Sequence, residues 1–236
     1  MDTQTRHALK QDRFATATAS GLDWLQENRR NTTIGVVVVV ILAAIIISSA
    51  VIYDSRSAHA QQLFGQAMDI YNTPLAVPGQ PTEPGFTTYP TATARAKAAN
   101  PLFAQVADKY NWLKTGKNAE YFAGLTYLDM GQTADAEKDL KGAADSRDSG
   151  LSALAKMALA GLYRQTGRDS EAVDLYRQVM KKPTVTVPVS EAKLQLASLY
   201  EATNPAEAKK LYAEIKDQDK ATVAAQIATK KLGGKD

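Results

Sequence analysis

From Ile34 to Tyr53 the chain reads IGVVVVVILAAIIISSAVIY, twenty consecutive residues without a charge. As a helix this stretch is about 30 Å long at 1.5 Å per residue, which matches the hydrocarbon core of a bilayer. It is apolar on every side, so a soluble fold would have to wrap it completely in protein. The remainder of a 236-residue chain is too small to do that and keep a core of its own. The run predicts a transmembrane helix over 33–54, with a tail at 1–32 before it and a domain at 55–236 after it. Tyr53 falls where an aromatic ring anchors a span at the headgroups.

Flanking cations set the expected orientation. Arg13, Arg29 and Arg30 precede the span, whereas Arg56 alone follows it before Arg95. Cationic residues are retained on the cytoplasmic side, so the tail is expected in the cytoplasm and the following domain beyond the membrane. A cleaved signal peptide is the competing reading, since Ala58-His59-Ala60 has the small-x-small form of a cleavage site. The apolar run is longer than a signal core, and alanines at 58 and 60 also suit the helix that the pattern continues into. Before the span, Phe14, Leu22, Trp24 and Leu25 punctuate a polar stretch and predict a short juxtamembrane helix, with Trp24 at the lipid interface.

Past the membrane the pattern is helical, and it repeats with a period near 36 residues. Ala119–Ala143 aligns with Ala155–Val179: Tyr127 recurs as Tyr163, Gly131 as Gly167, Ala136 as Ala172 and Leu140 as Tyr176. A third copy, Ala192–Ile215, places Tyr200, Asn204, Ala208 and Tyr212 in the same roles with a turn one residue shorter. Gly124, Ala160 and Ala197 are the small residues expected where the first helix of each pair crosses the second. Gly131 and Gly167 read as left-handed caps ending the first helix, with Asn204 as the usual substitute. Ala136, Ala172 and Ala208 let the second helix approach closely, and Leu140, Tyr176 and Tyr212, four residues on, fill the space beside them.

In these copies the chain resembles the tetratricopeptide repeat, with its large-small-aromatic first helix, glycine turn and alanine-aromatic second helix. The resemblance implies an all-α solenoid; an all-helical bundle without stacked pairs is the alternative. A fourth pair is expected ahead of the three, with Ala58–Tyr71 as its first helix and Ala92–Tyr110 as its second, where Ala99, Phe103 and Val106 repeat the spacing. Between them, over 73–91, stand Pro74, Pro78, Pro81, Pro84 and Pro90, which forbid a helix or a central strand. Lys220–Leu232 reads as a last helix capping the stack, fraying at Gly233-Gly234. The expected architecture is thus one transmembrane helix, three to four helix pairs and a cap.

The residues exclude much chemistry. There is no cysteine, hence no disulfide, thiolate ligand, cysteine nucleophile or lipoprotein anchor. His7 and His59 are the only histidines and have no partner at ligand spacing, and no phosphate loop, nucleophile elbow or zinc-protease pair occurs. Gly116-Lys117 and Gly233-Gly234-Lys235 lack the rest of a phosphate loop, and acidic pairs such as Asp145/Asp148 and Asp217/Asp219 read as solvated helix ends. Lys and Arg are scattered among Asp and Glu to a net +3, which is no nucleic-acid-binding face. A non-enzymatic protein without cofactor, metal or small-molecule substrate is the expectation, with proteins as its partners and the lipid bilayer around one helix.

Stacked helix pairs curve, and first helices line the concave side. In the repeat frame that face is expected to carry Tyr121, Phe122, Leu125, Met157, Arg164 and Leu194, some of which also belong to the core between repeats. The family's best-known peptide mode holds a C-terminal carboxylate with lysines and asparagines. This chain has Tyr121, Leu125, Ala158, Glu191 and Gln195 instead and departs from that pattern.

Tail, anchor and repeats together are similar to the YfgM-like family over nearly the whole chain, most tellingly in LDWLQENRRNTTIG (Leu22–Gly35) and SRSAHAQQLFGQAMDIY (Ser55–Tyr71). The Pro-rich loop after Tyr71 is a departure from it. That resemblance implies a bacterial inner-membrane protein with a periplasmic domain that accompanies the SecYEG translocon and cooperates with periplasmic chaperones. A dedicated scaffold subunit of another membrane complex, respiratory, photosynthetic or secretory, is the alternative.

Overall fold

The computed structural model describes residues 29–77, 79, 85, 87–218 and 222–233. The expected juxtamembrane helix up to residue 28, the middle of the Pro-rich loop (78, 80–84 and 86) and the first residues of the expected last helix lie outside them. The described chain is all-helical: α1 Arg29–Tyr71, α2 Ala92–Lys109, α3 Lys114–Asp129, α4 Thr133–Ala144, α5 Ser149–Gln165, α6 Asp169–Lys181, α7 Val189–Thr203, α8 Pro205–Gln218 and α9 Val223–Gly233. The chain divides into two compact units, Met1–Ser55 and Arg56–Asp236.

In the first unit α1 begins at Arg29, and every residue from Thr33 to Ser55 is exposed. Apolar surface left bare over this length has no stable place in water. The helix is long and apolar enough to cross a membrane.

In the second unit, the end of α1 packs on α2 through His59 on Tyr110, Phe64 on Phe103 and Tyr71 on Arg95, and α3/α4, α5/α6 and α7/α8 follow as pairs closed by α9. The helices start where the sequence supplies caps. Thr91 Oγ1 accepts the Ala94 amide at 3.0 Å, and Asp148 Oδ1 accepts those of Gly150 and Leu151 at 3.0 and 3.2 Å. The first helices of two pairs stop at glycines with φ of +73°, Gly131 and Gly167. There the Gln132 and Arg168 amides reach back to the Tyr127 and Tyr163 carbonyls at 2.9 and 2.7 Å, which closes a Schellman turn.

Asn204 departs from the expectation. Its φ is −150°, and its side chain accepts the Glu207 amide at 3.3 Å as the cap of α8. One residue ends α7 and starts α8, with Pro205 at the first helical position, and this is why the third turn is a residue shorter. The last helix also differs: Gly233 belongs to α9, whose Ala225 and Ala228 are buried against the stack.

Small residues set the spacing between helices. A Cβ on Gly124 would lie 2.8 Å from Leu140 Cγ, and Ala160 and Ala197 are fully buried at the equivalent crossings. Ala136, Ala172, Leu140, Tyr176, Ala208 and Tyr212 are all core. At the other end Phe64, Tyr71, Phe103 and Phe122 meet edge to face, with Phe103 and Phe122 stacked at 5.4 Å. The Pro-rich insertion is pinned at its base: Ala76 N donates to Tyr89 O at 2.8 Å and Tyr89 N to Pro74 O at 3.1 Å. Arg95 lies over the Tyr71 ring and donates to Thr73 O at 3.1 Å.

Candidate protein-binding groove

A groove of about 870 Å³ opens between the first helices α5 and α7, with α3 reaching it through Tyr121. Helical spacing decides which residues reach it. From α5 come Leu154, Met157, Ala158, Gly161, Arg164 and Gln165; from α7, Glu191, Gln195, Ser198, Leu199 and Ala202. Both sets follow steps of three and four residues, one stripe on each helix. Tyr121 enters from α3, Asp169 and Tyr176 from α6, and Thr186 and Val187 from the loop between α6 and α7.

This surface mixes apolar and charged side chains. Leu154, Met157, Ala158 and Val187 offer aliphatic contact, while Arg164, Asp169 and Glu191 are charged groups with no ion pair among the described residues. Gln195 steadies Glu191 through a 3.0 Å hydrogen bond. Burial pushes the Tyr176 phenol above its ordinary pKa, opposed by a hydrogen bond with Arg164. Burial likewise raises that of Tyr121, with a smaller contribution from Tyr71. Both phenols stay neutral at physiological pH and act as hydrogen-bonding aromatic surface.

The turn behind Arg164 is braced. Arg168 sits 4.0 Å above the Tyr163 ring, donates to Glu137 at 2.7 Å and grips Glu171 with two bonds of 2.6 Å. Lys141 and the Tyr163 hydroxyl also reach Glu137, at 2.6 and 3.1 Å. These donors, Arg168 first and then Lys141, hold the Glu137 carboxyl down to about 2.

Of the six residues expected on this face, Tyr121, Met157 and Arg164 line the groove. Phe122 is turned into the aromatic cluster on Phe103, Leu194 is buried in the main core, and Leu125 packs against that core. Tyr121 is the α3 residue that reaches the groove, while Phe122, about 100° further round the helix, packs in the aromatic cluster. Ala158, Glu191 and Gln195, which the repeat frame set at the peptide-holding positions, also line the groove, and Leu154 and Gly161 could have been found by extending the Met157–Arg164 stripe. Thr186 and Val187 could not, because a connecting loop carries no periodicity. Among the described residues no group of His, Asp and Glu is placed to hold a metal ion.

No family model matches the chain, and no curated protein matches it. Solved structures do. The nearly identical TPR-like repeats of a protein from Podosopora anserina, described as a kinesin light chain, align with a TM-score of 0.54 at 16% identity. The alignment covers 74% of this chain and 83% of that one, and a single-substitution form of the same protein aligns equally well. The helix pairs, their glycine turns and this likeness together show that the chain carries a tetratricopeptide-type helical repeat fold.

Proposed function

We propose that this chain is a membrane-anchored protein–protein interaction module whose repeat groove holds polypeptide segments emerging on the far side of the bilayer. The observation that carries this reading is the groove, where α5 and α7, joined by Tyr121 of α3, present a mixed apolar and polar surface. The second support is the anchor, an exposed apolar helix that lipid would cover. Tethering turns modest affinity into occupancy, because a groove held close to the site where its partners appear meets them at high effective concentration.

The resemblance to the YfgM-like family makes the reading more specific: a chaperone-like helper of translocated proteins at the SecYEG translocon, with its tail in the cytoplasm and its repeats in the periplasm. Protease added to intact bacterial spheroplasts expressing the chain should then digest the repeats and spare the tail. Crosslinking in the same membranes should recover translocon subunits and many translocated chains. Repeats that resist protease until the cells are lysed would refute the topology. A single stoichiometric partner set without translocon subunits would replace the helper role with a scaffold role in another complex.

A further inference from the structure

A second concavity, of about 220 Å³, lies between α5 and α6 and shares no residue with the groove. Ser149, Ser152 and Lys156 line it from α5, and Gln178, Lys181 and Lys182 from the end of α6. Its floor is Ala153 and Val179, both buried. Lys156, Lys181 and Lys182 have neither an ion pair nor a hydrogen bond among the described residues, and the Ser149 and Gln178 side chains are equally unengaged.

Some repeat lysines pair with acids, such as Lys114 with Asp148 and Lys193 with Glu214, and others, such as Lys97, Lys138 and Lys209, stand singly without an ion pair among the described residues; the cleft differs in bringing three together. Here three positive charges converge on a low-dielectric floor with no carboxylate among the lining side chains. The adjacent acid, Asp148, is committed to Lys114 at 2.8 Å and to the first amides of α5, so those amides are not the attraction. The dipole of α6 favours Lys181 and Lys182 at its end, but it does nothing for Lys156 in the N-terminal half of α5.

We propose that this cleft binds a phosphate-bearing anion. The lysines supply the charge, and the Ser149 hydroxyl and Gln178 amide supply directed donors. Its volume is below the roughly 300 Å³ where pockets for drug-sized ligands begin, so it suits a phosphate group or a lipid headgroup rather than a nucleotide.

The test uses the full chain, isotopically labelled, in a neutral detergent. Inorganic phosphate is titrated against chloride at constant ionic strength while backbone amide resonances are followed. Saturable shifts confined to Ser149–Ala153 and Gln178–Lys182 are expected. They should require at least about tenfold more phosphate in K156Q/K181Q/K182Q, with an intermediate loss in K181Q/K182Q, whose substitutions are both at exposed positions. A second arm places the chain in phosphate-free nanodiscs. The same shifts in phosphatidylglycerol but not in phosphatidylcholine identify a lipid headgroup, and a response to free phosphate alone identifies a soluble anion. No saturable shift in either arm, or an undiminished response from the triple variant, overturns the proposal.

Discussion

Replacing Gly116 by alanine tests the packing argument at its tightest backbone contact. Gly116 lies in the first turn of α3, where that helix passes the end of α2, and an added Cβ would stand 1.9 Å from the Tyr110 carbonyl oxygen and 2.4 Å from its carbon. Both are backbone atoms, so no side chain can swing aside; the junction itself must open by more than 1 Å to restore ordinary contact. Alanine in a helix is worth about 1 kcal/mol over glycine. Forcing extra volume into a packed site costs about 1–3 kcal/mol, and more when backbone must move. With the helix gain subtracted, the net expectation is destabilisation of up to about 2 kcal/mol from packing alone, and more once the backbone has to open. The internal control is Gly161→Ala in α5, where no atom lies within 4 Å of the added carbon and the propensity gain of about 1 kcal/mol should appear undiminished. Thermal unfolding followed by circular dichroism should move the two midpoints in opposite directions, by about 2–4 °C per kcal/mol for a domain of this size. Equal shifts of the same sign would refute the claim that the α2–α3 junction is closed by the missing side chain.

Four further expectations follow from the same contacts. Gly131→Ala and Gly167→Ala should each destabilise by about 1–2 kcal/mol although nothing surrounds either added carbon, because φ of +73° is strained for alanine; equilibrium denaturation measures it. Glu137 titrates near 2 in the folded chain and near 4.5 when free, so its contribution is present above pH 4.5 and fades as pH falls towards 2. Solvent screening limits that contribution to about 1–2 kcal/mol, and Glu137→Gln should flatten this part of the stability–pH curve. Asp139 behaves oppositely: burial, reinforced by the charges of Glu120, Asp108 and Asp135 and opposed by Lys138, lifts its carboxyl to about 6. The folded state then holds the proton more tightly, stability rises as pH falls from 6 towards 4, and Asp139→Asn should stabilise by about 1–2 kcal/mol at pH 7 but hardly at pH 4. Finally, Tyr121→Ala with Met157→Ala should weaken partner capture in pull-downs while the helical dichroism stays unchanged; undiminished capture would argue against the groove.

What could be read from the chain was whatever repeats or whatever is one-dimensional. The apolar run, the helix pairs and the two glycine turns were legible, because each is a local pattern reiterated at a fixed interval. Asn204 was misread, because a residue that can end one helix or cap the next looks the same in sequence; only the dihedral and the bond to Glu207 separate the two. The groove was half legible. Repeat alignment identifies the inward-facing helix, but it does not resolve the 100° that sends Tyr121 to the groove and Phe122 into the aromatic core. The brace of Glu137 by Arg168, 31 positions away, left no trace in the pattern, since it depends on the turn of one pair meeting the helix of another.

The most direct measurement of the central claim is site-specific photocrosslinking in native membranes. A photoreactive residue at Ala158 or Gln195, inside the groove, should form adducts with translocated polypeptides, while the same residue at exposed Asp174, which is not among the groove's lining residues, should form few. Adducts equally abundant from Asp174, or none from the groove positions, would contradict the account.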